Sequence, residues 1–232
     1  MSAYQLKTDQ AKTNAPLNKN KPDLLTRLYR RLRTPVPVKP LSLGPIVSDS
    51  KAVAVFDGFL SDEEYRTVQH WALGLPAEMT REDRDWSVYI KLDFSECLMS
   101  RMWLTDDGDM PPEAQLFVDR VKGTGWVDQD ASVLLGVYRW QPGSGIGEHS
   151  DGHTETAITY YLNDTWQKNW FGDLIFYETK EAELRGFGRS VAPFANRLII
   201  NKNTLAHKVT YTSGLAVERI SVQAFVVKPK DI

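Results

Sequence analysis

The segment Gly147-Glu-His149-Ser-Asp151-Gly-His153 sets an imidazole and a carboxylate two residues apart. In an extended backbone, side chains at i and i+2 project to the same side, so His149 and Asp151 can grip one ion together. A third ligand has to come from elsewhere, and His207 is the only histidine after the cluster. Two imidazoles and one carboxylate make the facial set that holds non-haem ferrous iron and leaves coordination positions open. Twelve residues further on, Arg219-Ile-Ser221-Val-Gln223 puts Arg219 and Ser221 on one strand face, with Ile220 and Val222 on the other. A guanidinium fork beside a hydroxyl suits a carboxylate held inside a barrel, where an unpaired Arg would be costly. An HxD pair by itself is a common surface turn. Joined to His207 and Arg219, it implies an acidic co-substrate bound beside iron.

These residues need a rigid frame, and from 132 onward the sequence supplies short β-rich runs. They cover Ser132–Trp140, Thr154–Leu162, Leu174–Glu178, Asn196–Ile200, His207–Thr212 and Arg219–Val227, most of them separated by Gly, Pro, Asn or Asp. Such spacing predicts an all-β sandwich or barrel of the jelly-roll type. The helical signals come earlier. Ser61-DEE is a capping box that opens a helix running to about Gly74, after a strand in Ala52-VAVFDGFL. Pro112-EAQLFVDRVK has Pro near its first turn and Gly123 past its end, which predicts a second helix. Trp86-SVYIKLDF reads as another strand. Helices that precede the strands rather than alternate with them disfavour a parallel α/β sheet.

The 232 residues are 42% hydrophobic and 11% aromatic, enough for a full core, which excludes global disorder and collagen-like repetition. The single cysteine, Cys97, excludes a disulfide scaffold and a CxxC metal site. With the polar opening MSAYQLKTDQAK, it predicts a cytoplasmic protein; no apolar stretch approaches the ~20 residues of a membrane span. The net charge of −2 conceals an asymmetry: residues 1–50 carry nine Lys or Arg against three Asp, and the rest nineteen basic against twenty-seven acidic. A near-neutral total gives no argument for nucleic acid as a partner. Residues 1–50 are expected to form a basic, partly disordered extension. Its short helix lies near 23–33, where Leu24, Leu25, Leu28, Tyr29 and Leu32 have helical spacing. A compact domain is expected over 51–232.

At this level of detail the sequence resembles the Fe(II)- and 2-oxoglutarate-dependent dioxygenases, in their prolyl 4-hydroxylase-like branch. The resemblance rests on the order His149-x-Asp151, His207, Arg219-x-Ser221 and on flanking segments. Val53-AVFDGFLSDEE resembles the strand and helix that begin such domains, and Tyr138-Arg-Trp-Gln-Pro-Gly the family's tyrosine-containing strand. Ala157-ITYYLND, Trp166-QKNW-Phe-Gly172-Asp-Leu174, Ala192-PFANRLIIN and Arg219-ISVQAF resemble most the proline hydroxylases related to ribosomal-protein prolyl hydroxylases. Together the likeness spans roughly 51–228.

The resemblance implies a double-stranded β-helix, mainly β with flanking helices. It implies that His149, Asp151 and His207 ligate Fe(II), and that Arg219 clamps the distal carboxylate of 2-oxoglutarate. Tyr138 and Tyr161 match tyrosines that line the same pocket, and Ser221 is a further candidate. Dioxygen is the third participant, succinate and carbon dioxide are the by-products, and a carboxylate at 151 implies hydroxylation rather than halogenation. The expected substrate is a prolyl residue or another amino-acid-like group of a peptide, protein or small molecule. The competing readings are a tailoring oxygenase for metabolites and a metal-binding interaction module without turnover. One departure is Gly172-Asp173 where the family has Gly-Gly, which is expected to bring a carboxylate to the pocket mouth. His153 reads as a polar turn residue, His70 and Asp106-Asp-Gly-Asp109 as surface, Arg139 and Arg197 as ion pairs, Trp140, Trp166 and Trp170 as packing, and Cys97 as a buried hydrophobe.

Overall fold

The computed structural model describes residues 46–47, 52–79, 95–152, 154–202 and 205–227. His153, the expected helix near 23–33 and the expected strand at Trp86–Phe94 lie outside them. In chain order the elements are β1 (Ile46–Val47), β2 (Val53–Asp57), α1 (Asp62–Gly74), β3 (Glu78–Met79), β4 (Cys97–Met99), β5 (Trp103–Leu104), α2 (Pro112–Lys122), β6 (Ser132–Trp140), β7 (Ile146–His149), β8 (Thr156–Tyr161), β9 (Leu174–Phe176), α3 (Lys180–Arg185), β10 (Arg189–Val191), β11 (Arg197–Lys202), β12 (His207–Val209) and β13 (Arg219–Val227).

Among the described residues they form two sheets. The larger has nine strands in the order β1-β2-β11-β8-β13-β6-β4-β3, with β5 beside β6; the smaller runs β10-β9-β12-β7. Every pairing is antiparallel. The expected double-stranded β-helix is therefore present as two sheets, and the strands do not close into a barrel.

Local chemistry fixes the helices where the sequence places them. At the start of α1, the Ser61 hydroxyl accepts the Glu64 N–H while the Glu64 carboxylate accepts the Ser61 N–H at 3.1 Å, so both exposed donors are satisfied reciprocally. In α2, Pro112 occupies the first turn, where its missing N–H costs nothing, and Gly123 follows the last residue.

Strand parity then sorts the side chains. On β13, Val222, Ala224 and Val226 join Tyr160 of β8, Leu198 and Ile200 of β11, and Val68, Phe117 and Val121 of the helices in the main core. Each fully buried Val, Leu, Ile or Phe among them contributes about 1.5–3 kcal/mol. The alternate residues Arg219, Ser221, Gln223 and Phe225 face the smaller sheet and line a cavity with it. One face of the large sheet thus builds the core against α1 and α2, and its other face is free to carry polar groups. Among the described residues no helix is long and apolar enough to cross a membrane.

Candidate metal centre and anion cavity

The smaller sheet brings the ligands together. His149 ends β7 and His207 begins β12, and these two are register partners across an antiparallel pair that carries an irregularity. Their ring centroids are 4.3 Å apart. Asp151, two residues past His149, lies 3.8 Å from His149 Nε2 through Oδ1 and 3.4 Å from His207 Nε2 through Oδ2. One ligand atom from each residue falls within 4.8 Å of the others, a group able to hold a metal ion. Each imidazole is aimed from behind: His149 Nδ1 lies 2.8 Å from the Gly147 carbonyl and His207 Nδ1 3.0 Å from the Leu205 carbonyl. A proton on each Nδ1 donates to those carbonyls and turns the Nε2 lone pairs toward the common focus, the orientation a metal ligand needs.

The two rings titrate in opposite directions. Burial and the neighbouring charge of His207 push His149 below the usual histidine range. Burial also works against a charged His207, but the hydrogen bond and charge of Asp151 outweigh it and hold that ring above the usual range. A metal at this focus competes with any proton on His207 Nε2, so its binding is coupled to proton release.

The cavity beside the triad is narrow, about 50 Å³, and lies between the sheets. Its walls include Tyr138, Trp140, Thr159, Tyr161, Leu174, Asn201, Arg219, Ser221 and Gln223. Arg219 is 3% exposed and sits 5.4 Å over the Trp140 ring. Its Nη1 donates to the Gly172 carbonyl at 2.9 Å, whereas its buried Nε has no hydrogen-bond partner. A buried cation with an open donor is expensive unless an anion completes it. Burial, opposed in part by the Arg219 charge, raises the Tyr161 pKa, so its phenol stays a neutral donor.

A strained turn aims the Gly172 carbonyl at Arg219. Phe171 has φ 56 and Gly172 φ 78, left-handed values that cost a phenylalanine about 1–3 kcal/mol. The Phe171 carbonyl is held by Trp166 Nε1 at 2.8 Å. A Cβ on Gly172 would lie 2.9 Å from Thr212 Cγ2 and 3.1 Å from Trp166 Cζ2, so only glycine fits.

The structure gathers all seven candidate residues, His149, Asp151, His207, Arg219, Tyr138, Tyr161 and Ser221, around this one cavity. Asp173 is different. It lines a separate cavity of about 500 Å³ with Lys168, Arg189 and Arg197 instead of the walls beside the triad, because parity on β9 turns Leu174 inward and its neighbour away. Arg139 pairs with Glu218 at 2.7 Å and Arg197 with Asp57 at 2.8 Å, so neither guanidinium reaches the triad's cavity. Trp166 and Trp170 pack edge-on in a small cluster of their own, while Trp140 is a wall of the cavity. His70 is exposed on α1. Asp106 accepts from the Ser132 hydroxyl and Asp109 pairs with Arg101, which makes the acidic stretch a tethered surface turn.

Sequence reasoning missed Asn201, Thr159 and Gln223 as cavity residues. The signal was their parity: each shares a strand face with a residue that was recognised or with an inward aliphatic, and Thr159 donates to Gln223 at 3.0 Å.

Comparisons with known proteins agree with this geometry. The model of the 2OG-Fe(II) oxygenase superfamily matches residues 135–227, the segment that contains the triad and Arg219. No curated protein matches the sequence. Among solved structures, the fold is similar to a prolyl hydroxylase from Trichoplax adhaerens in complex with a hypoxia inducible factor peptide fragment (TM-score 0.60, 16% identity, 93% of this chain and 97% of that one). It is also similar to a Pseudomonas putida prolyl-4-hydroxylase (0.57, 16%, 76% and 92%) and to a 2OG-Fe(II) oxygenase family oxidoreductase from Burkholderia pseudomallei (0.55, 15%, 75% and 84%). The family uses Fe(II), 2-oxoglutarate and dioxygen, and His149, Asp151 and His207 could bind the iron. Residues 135–227 thus match the 2OG-Fe(II) oxygenase superfamily, and the fold is similar to that of solved prolyl hydroxylases.

Proposed function

We propose that this chain is an Fe(II)- and 2-oxoglutarate-dependent hydroxylase acting on a prolyl residue or a similar amino-acid-like group. The observation that carries the reading is the convergence of His149, Asp151 and His207 within 4.8 Å beside a buried Arg219 whose Nε lacks a partner. The residues fit the groups required. Two imidazoles and one carboxylate suit ferrous iron and leave positions open, and the orphaned guanidinium N–H calls for an anion.

Bound iron would supply, with 2-oxoglutarate and dioxygen, an oxidative decarboxylation that releases succinate and carbon dioxide and hydroxylates the substrate. The chain's own work is to place and shield. His149, Asp151 and His207 hold the metal from one side. Arg219 holds the distal carboxylate through charge-assisted hydrogen bonds, and the neutral phenol of Tyr161, the Tyr138 ring and the Ser221 hydroxyl line the space around it. Trp140 closes one wall and keeps water from the cation. The narrow cavity leaves the substrate itself at the mouth, so only the reacting carbon has to approach the metal.

A peptide or protein substrate is supported by the likeness of four segments to protein-directed proline hydroxylases, and the Trichoplax neighbour is itself in complex with a peptide. One buried cysteine in 232 residues supports a reducing, cytoplasmic setting, and the domain that carries the activity is taken as 51–232. The test is succinate release from the iron-loaded protein, screened against proline-containing peptides, free amino acids and metabolite pools. Peptide-dependent succinate with a mass gain of one oxygen on proline is the expected result. Stimulation by metabolites alone would instead favour a tailoring oxygenase. No succinate under any condition, with iron demonstrably bound, would leave a non-catalytic metal module.

A further inference from the structure

We infer that Asn201 is a second anchor for the co-substrate, donating from its side-chain amide to the carboxylate at the metal end while Arg219 holds the other. This rests on the reading above. Asn201 is 2% exposed, lines the cavity of the triad, and its Nδ2 has no hydrogen-bond partner. A buried amide left open costs about as much as a lost hydrogen bond and is rare in folded proteins. Four buried side-chain nitrogens among the described residues lack partners: those of Trp71, Trp170, Asn201 and Arg219. The two tryptophans lie outside the cavity's walls, which leaves Asn201 and Arg219 as the wall residues with a fully buried, unpartnered nitrogen.

The Thr159 hydroxyl donates to Gln223, and both triad imidazoles use Nδ1 against backbone carbonyls. Register places Asn201 apart from the clamp. It pairs with Ala157 on β8, itself opposite Phe225 on β13, whereas Tyr161 pairs with Ser221 and Arg219 with Trp140 at the other end. Asn201 and Arg219 therefore cannot serve the same carboxylate. A narrow cavity and near-complete burial also put Asn201 out of reach of a bulky substrate at the mouth. What is slim enough to reach it, and rich enough in acceptors to use it, is the diacid's proximal carboxylate.

Asn201→Leu keeps the volume and removes the donor, and Asn201→Ala serves as a second variant. Thermal unfolding of the metal-free proteins should show Asn201→Leu as stable as wild type or more so, since an unsatisfied polar group leaves the core. A merely structural asparagine would lower the midpoint. With Mn(II) bound under anaerobic conditions, 2-oxoglutarate should bind either variant about 10- to 100-fold more weakly than wild type, as expected for one hydrogen bond to a charged group. Unchanged affinity in both variants overturns the inference and leaves the proposed function standing. Failure of Mn(II)-loaded wild type to bind 2-oxoglutarate defeats the function and the inference together.

Discussion

Two buried polar clusters on the large sheet treat their hydrogen bonds in opposite ways. On the helix side, Asn196 accepts from the Leu60 N–H at 2.9 Å and the Tyr160 hydroxyl at 2.7 Å and donates to the Leu60 carbonyl at 2.8 Å. It is a non-glycine residue at positive φ, and every polar atom of its amide is used. On the cavity side, Arg219 and Asn201 are equally buried yet each keeps an unused donor, and one ligand atom from each of His149, Asp151 and His207 lies within 4.8 Å of the others. A polar group that serves the fold closes its hydrogen bonds within the fold. One that serves a ligand leaves a bond open and carries the cost until the ligand arrives.

Substitutions can break or sharpen that contrast. Asn196→Ala should have the largest effect on folding. It abandons the Leu60 N–H and the Tyr160 hydroxyl in the core, and chemical denaturation should show a loss of about 2–4 kcal/mol. The affinity for 2-oxoglutarate should not change; a parallel loss of affinity would erase the distinction. Arg219→Ala should reverse the pattern. The apparent KM for 2-oxoglutarate should rise about 10- to 100-fold for lost charge-assisted hydrogen bonds, with unfolding little changed, because the desolvation of a buried cation is relieved along with its contacts.

Gly172→Ala should fall between the two. The added methyl meets Thr212 and Trp166, so stability drops by about 1–3 kcal/mol. The displaced carbonyl also releases Arg219, so the KM for 2-oxoglutarate rises several-fold while kcat holds. A smaller effect is expected at Cys97, where burial lifts the thiol to about 12. The folded protein at pH 8 should resist iodoacetamide and label only on unfolding.

Much of this frame was legible in the sequence because its signals are local. The capping box at Ser61, Pro112 at the first turn of α2, and the long apolar runs of β6 and β13 each announce themselves within a few residues. Short strands did not. β4, β5, β7 and β10 hold two to four residues each, too few for alternation to register, and they exist through pairing with distant partners. The candidate metal ligands were visible because few residue types can do that work. Asn201 was hidden inside Leu198-Ile-Ile-Asn-Lys, where a polar residue near a strand's end reads as the strand stopping, and only the register with Ala157 shows that it points inward. Position next to a recognised glycine does not say which way a side chain turns: Asp173 lines the neighbouring cavity, yet its charge couples to Arg219 and Tyr161.

The central claim is that His149, Asp151 and His207 hold ferrous iron beside a 2-oxoglutarate clamped by Arg219, and anaerobic titration tests it most directly. Fe(II) and 2-oxoglutarate added to the wild-type protein should produce the weak visible charge-transfer band of the chelate, and the double variant Asp151→Ala, His207→Ala should lose it. A wild-type protein that shows no band, or a double variant that keeps it unchanged, would contradict the account.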